Sequence, residues 1–228
     1  MQSSSTTSQR DGAVRTSELT MMRIHFPLVV LCISACTGLA NAAVLDEEQV
    51  GDFADDRLNP TRFSLSAGTH LLHGHYGRAQ TGGLDLDYLR VDLPAAHALT
   101  GLLVLPGTTH GGGRSFIGVQ AGTQFTVAPA EAEPSDLLGY MHFSASASPL
   151  QILADLGDTD GEAFGAQGFL PPLRGPSYTF WIQEQQAGAV FDYHFEFQVS
   201  PVPLPGGGWL LVSALLPLAN RHRRARKD

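Results

Sequence analysis

With 228 residues, 43% hydrophobic and 16% charged, the chain has room for one domain of about 150 residues and a buried core, once its two ends are set aside. Its formal charge of −8 hides a segregation. Residues 43–205 carry 19 Asp and Glu against 6 Arg and no Lys, and the flanks hold the other 8 basic residues against 3 acidic ones. Such an anionic body argues against nucleic acid and anionic membrane surfaces as partners, and suits an extracellular protein that meets divalent cations.

Residues 1–20 are polar, rich in Ser and Thr, and lack apolar periodicity, which points to translation beginning at Met21 or Met22. From there Arg23 and His25 form a short basic region and Phe26 to Ala35 an apolar one. Ala40-Asn41-Ala42 supplies the small residues of a signal-peptidase site, so residues 1–42 read as a secretory signal peptide cleaved before Ala43. An alternative stands beside it. Ile33-Ser34-Ala35-Cys36 resembles a lipobox, in which Cys36 is lipidated and becomes the new N-terminus. Both cysteines, Cys32 and Cys36, lie in this leader, so no disulfide is expected in the body.

The body, residues 43–200, opens with clustered acids: Asp46, Glu47, Glu48, Asp52, Asp55 and Asp56. Strands are expected at Thr61 to Ser66, Thr69 to Tyr76, Asp85 to Leu93, Leu99 to Leu105, Ser115 to Val119, Gln124 to Val127, Leu138 to Phe143 and Ile152 to Leu156. Gly- and Pro-bearing turns separate them. The last two segments carry the clearest pattern. Tyr178, Phe180 and Ile182 alternate with Thr179, Trp181 and Gln183. Phe191, Tyr193, Phe195, Phe197 and Val199 alternate with Asp192, His194, Glu196 and Gln198. Strict period two predicts one face in the core and one in water. With no amphipathic helix in the body, the expectation is an all-β, jelly-roll-like antiparallel β-sandwich.

Asp85-Leu86-Asp87-Tyr88 running into Val91-Asp92-Leu93-Pro94-Ala95 resembles the central strand of the bacterial pre-peptidase C-terminal domain. Gly175-Pro176-Ser177-Tyr178-Thr179-Phe180-Trp181-Ile182 and the closing strand fit the same plan. Ser115 to Gly122 and Leu137 to Tyr140 are similar to segments that recur in exported proteins of the PEP-CTERM class. The resemblance spans about residues 50–199. It implies a secreted accessory module without a known catalytic site.

The chemistry-bearing groups are few. His110-Gly111-Gly112-Gly113 matches an esterase oxyanion loop, but the Gly-x-Ser-x-Gly elbow that chemistry needs is absent. His73 and His75 share a strand face beside His70. Two such His can hold zinc, yet the sequence identifies no third ligand, and surface histidines are the expectation. Carboxylates are the better candidates. Ca²⁺ takes six to eight oxygens, which Asp85 and Asp87 together with Asp52, Asp55 and Asp56 could supply across a sheet edge. Solvated loop charge is the plainer alternative. Asp158-Thr159-Asp160-Gly161-Glu162 lacks the spacing of a calcium loop. Trp181, on the polar side of its strand, is either a sugar-stacking platform or buried against the acidic N-terminal segment.

The tail, residues 201–228, has three parts: the turn Val202-Pro203-Leu204-Pro205, an apolar stretch of about 14 residues broken by Pro217, and the basic cluster Arg221, Arg223, Arg224, Arg226 and Lys227. A full helical span wants about 20 residues, so a short hydrophobic helix is expected, held transiently at the inner membrane with its basic end cytoplasmic. This arrangement resembles the PEP-CTERM sorting signal of bacterial proteins processed by exosortases. The resemblance implies an exosortase-type enzyme as partner and export to the cell surface or matrix. The function expected is therefore non-enzymatic, in association with exopolysaccharide. A carbohydrate-binding module and, further off, a secreted hydrolase are the alternatives.

Overall fold

The computed structural model describes residues 42–78, 83–112, 115–184 and 189–202, all within one compact unit, Leu39–Asp228. Residues 1–41 of the expected signal peptide, with both cysteines, Pro203 to Pro205, the apolar stretch and the basic cluster lie outside the described residues. Among those described, the fold is all-β. A three-residue strand β1 (Val44–Asp46) runs into a single helical turn α1 (Glu47–Val50), and nine further strands follow. These are β2 (Thr61–Ser64), β3 (Gly68–Arg78), β4 (Leu84–Asp92), β5 (His97–Val104), β6 (Ser115–Ala121), β7 (Gly139–Phe143), β8 (Leu150–Gln151), β9 (Ser177–Gln183) and β10 (Val190–Pro201). No described helix is long and apolar enough to cross a membrane.

The strands form one mostly antiparallel sheet in the order β7-β6-β9-β4-β3-β10-β5-β8, with β1 added parallel to β3 and β2 parallel to β4. Its seam lies between β3 and β4, where among the described residues only Gly77↔Asp85 and Arg78↔Leu84 pair. Beyond those two pairs the strands part, and β1 and β2 take the edges that separation leaves free. The sheet therefore curls into a half-barrel around one core. Phe63 of β2 and Phe180 of β9 both meet Phe197 of β10, at ring-centroid distances of 5.9 and 5.6 Å. Phe143 of β7 meets Phe195 of β10 at 5.2 Å. Each such ring removed from water is worth roughly 1.5–3 kcal/mol.

β10 behaves as its alternation predicts. Tyr193, Phe195, Phe197 and Val199 are buried, while Asp192, His194, Glu196 and Gln198 face outward. β9 does not. All seven of its residues are buried, because residues 123–137 cross its outer face and close a second cluster of Tyr88, Phe125, Leu137 and Trp181. Two expected strands are also corrected. Residues 124–127 form no strand: Phe125 turns inward and its N–H donates to the Arg57 carbonyl. Ile152 to Leu156 form no strand: the strand is the preceding Leu150–Gln151, and the chain closes as a 3₁₀ turn at Asp155–Gly157.

Candidate functional site

Alternation along β4 places Asp85 and Asp87 on the same face as Leu89 and Val91, the face that lines the core. The two carboxylates consequently lie at the seam end of the half-barrel, just inside it. Asp87 is fully buried and Asp85 is 8% exposed. From β10, Tyr193 reaches in and its hydroxyl donates to Asp87 Oδ2 over 2.7 Å. Gly74 makes room for that reach, since a Cβ there would stand 2.3 Å from the Tyr193 oxygen. Asp87 Oδ1 is buried with no hydrogen-bond partner. An unpaired buried carboxylate oxygen is costly unless the group is protonated or meets a cation.

The N-terminal segment completes this end. Asp46 caps α1 by accepting from the Glu48 N–H, and the cap turns Glu47 inward. Glu47 Oε1 accepts from the Phe53 N–H, and Oε2 accepts from the His75 N–H. Glu47 is thus a buried carboxylate stitched to the backbone of the loop after α1 and to that of β3. Its acidity is weakened chiefly by burial and further by a hydrogen bond with Asp52. Asp85 is pushed up to about 7, by burial first and then by the negative charges of Asp52, Glu47 and Asp55. Asp87 is raised well above the ordinary carboxylate range, by burial and then by Glu47. Glu47, Asp85 and Asp87 therefore share one field, and each holds its proton to higher pH than an ordinary Asp or Glu would.

Of the residues expected to group with Asp85 and Asp87, Asp52 joins them electrostatically. Asp55 stands at the rim, accepting from the Leu86 N–H at 2.9 Å. Asp56 is exposed and committed to its own turn, accepting from the Leu58 N–H and the Asn59 amide, which holds its carboxyl below the usual range. Glu47 and Tyr193 were not singled out in the sequence. The capping pattern at Asp46 was the signal for the first, and nothing local marks the second. Among the described residues, no three His, Asp or Glu side chains already stand at metal-ligand spacing.

A second feature lies on the outer face of β6, β7 and β9. A groove of about 220 Å³ is lined by Phe116, Tyr140, His142, Trp181 and Gln183, with Glu133 and Pro134 at its rim. Trp181 is not the open platform the sequence allowed. It is 4% exposed, with Phe116 at 4.7 Å and Phe125 at 5.6 Å, and it packs against these rings rather than against the acidic N-terminal segment. Its indole N–H is buried without a partner. The half-exposed aromatic surface belongs to Phe116 and Tyr140, which stack at 6.1 Å and 24°.

The chain matches no family model and no curated protein. The site must therefore be read from its own groups. His70 is structural: buried, it takes the Ala43 N–H on Nδ1 and faces the Ser66 carbonyl with Nε2. The Asp158–Glu162 loop folds on itself, with Asp158 Oδ1 accepting from the Asp160 N–H. Of the expected sorting motif only Val202 is described, and its N–H donates to the Ala96 carbonyl at 2.7 Å.

Proposed function

We propose that the chain is a non-enzymatic exported protein of the cell surface or extracellular matrix that associates with polysaccharide and is sorted by an exosortase-type enzyme at Val202 to Pro205. In this reading the two wings of the curled sheet act as the layers of a jelly-roll-like sandwich. The aromatic groove is the observation that carries the polysaccharide part. Sugar rings present apolar C–H faces and hydroxyl edges. A shallow trough with stacked Phe116 and Tyr140 on its floor and His142, Gln183 and Glu133 around it offers both kinds of contact. The same groove favours a dedicated carbohydrate-binding module as the second reading.

The purified full chain, tested against a panel of bacterial exopolysaccharides and short glycans, should bind at least one polymer. Tyr140→Ala should cut that binding at least tenfold with the melting temperature little changed. Saturable binding of a short glycan would favour the dedicated module, and no difference between the variant and the parent would remove the groove from the proposal.

The address is a separate part of the reading. The apolar stretch is too short for a durable anchor, and the cluster Arg221 to Lys227 is charged enough to stall export. The exported form should end near Pro205. Mass spectrometry that recovers Arg223, Arg224 and Arg226 on exported protein would defeat it.

Calcium belongs to the same reading, held by Glu47, Asp52, Asp85 and Asp87. The fit rests on the unpartnered oxygen of Asp87 and on a donor set made wholly of carboxylate oxygens, the type a hard cation prefers. The ion would supply the positive charge that this buried end of the half-barrel lacks.

A further inference from the structure

The outer face of β1, β3 and β10 carries a grid of ligating side chains. In register, Asp46 stands beside His73, and His73 beside His194. One step along the strands, His75 stands beside Asp192. Three adjacent strands and a period of two thus bring imidazoles and carboxylates from residues 46, 73, 75, 192 and 194 onto one patch. They line a depression of about 250 Å³ with Glu48 at its edge. His194 is the partner from outside the His73–His75 pair that the local sequence could not supply.

The distances are those of a patch close to ligation. The His73 and His194 ring centroids are 4.5 Å apart. Two imidazoles on one tetrahedral metal, with nitrogen to zinc about 2.0–2.1 Å, have centroids roughly 5 Å apart. His75 Nε2 lies 3.3 Å from Asp192 Oδ1, and His73 Nδ1 lies 3.9 Å from Asp46 Oδ2. Carboxylates next to the histidines keep a cation's charge compensated. The His73 side chain is about one-third exposed, at 32%, so rotation about its side-chain bonds can turn a ring nitrogen toward His194 without moving the sheet.

We propose that this patch binds a divalent transition cation of the zinc class, with His73 and His194 as the nitrogen pair and Asp46 and Asp192 as the flanking carboxylates. It adjoins the carboxylate end, where His75 Nδ1 lies 3.3 Å from Glu47 Oε2, and differs from it in donor type: imidazole nitrogens select borderline cations, whereas the all-oxygen set suits a hard one. The patch lies across β1, β3 and β10, so a bound ion would clip the short β1 and the start of α1 to the long central strands.

The test uses the untagged full chain with ZnCl₂ in competition with a chromogenic chelator. One equivalent should bind, and excess CaCl₂ should not displace it. His73→Gln and His194→Gln should each weaken zinc at least tenfold, and Asp192→Asn by less, with the melting temperature of the metal-free proteins unchanged. Cu²⁺ as a spin probe should show two nitrogen ligands in the parent and one in either His variant. Zinc affinity unaltered in the double variant, or a copper spectrum without paired nitrogens, would overturn the proposal.

Discussion

β9 and β10 look alike in sequence and end in different environments. Both alternate aromatic or aliphatic with polar residues, yet β10 shows water one whole face and β9 shows it none. The difference lies in what crosses the outer face. Residues 123–137 run over β9 and bring Phe125 and Leu137 down beside Trp181, whereas no described segment covers His194 and Glu196 on β10. Period two therefore reports which residues share a face, and a loop far away in sequence decides whether the second face is wet.

Truncation should separate the two strands, and the largest effect is expected in the shared core. Phe195 is fully buried among Phe143 and Tyr193, so Phe195→Ala should cost roughly 3–5 kcal/mol in urea unfolding. On the outer faces the strands should part company. Trp181→Ala on β9 should cost about 3 kcal/mol, since it empties the second cluster. Glu196→Ala, its counterpart on β10, should stay within about 0.5 kcal/mol. Equal small losses at Trp181 and Glu196 would mean that the cover over β9 contributes nothing.

These strands also show what the sequence could convey. The burial of Tyr193, Phe195, Phe197 and Val199 was legible because alternation is a local property. The second face of β9 was not, because its cover is supplied from residues 123–137, a stretch that read partly as a strand of its own. The residues of the candidate sites divide in the same way. Asp85 and Asp87 could be paired from their i, i+2 spacing, and Asp52 suspected from the acidic crowding. Glu47, Tyr193 and His194 reach their sites through pairings between strands more than a hundred residues apart or through a helix cap. Burial, too, was invisible: a DLD run on an anionic chain reads as a solvated edge, and only the curl at the β3–β4 seam turns it inward.

The last expected effect contrasts the buried carboxylates with the open face of β10, and it depends on pH. Asp85 holds its proton more tightly folded, at about 7, than in an ordinary carboxylate. Between about pH 4 and pH 7 the folded chain therefore binds more protons than the unfolded one, and stability falls as pH rises through that window. Asp87 and Glu47 are raised for the same first cause, burial, and act in the same direction. His194, which is lowered, opposes them: its contribution is present above the ordinary histidine range and is lost as pH falls. Comparing the parent with Asp85→Asn cancels the His194 contribution and isolates Asp85 together with the charge it places on Asp87. The variant should match the parent near pH 4 and gain on it up to pH 8, where the gap should be on the order of 1 kcal/mol, since solvent at the rim screens the charge. Millimolar Ca²⁺ at constant ionic strength should close that gap by stabilising the parent, and Mg²⁺ should close it less. A gap that is constant from pH 4 to pH 8 would show that Asp85 ionises as freely folded as unfolded. A gap that opens with pH but ignores calcium would leave protons as the only means by which this end of the half-barrel is neutralised.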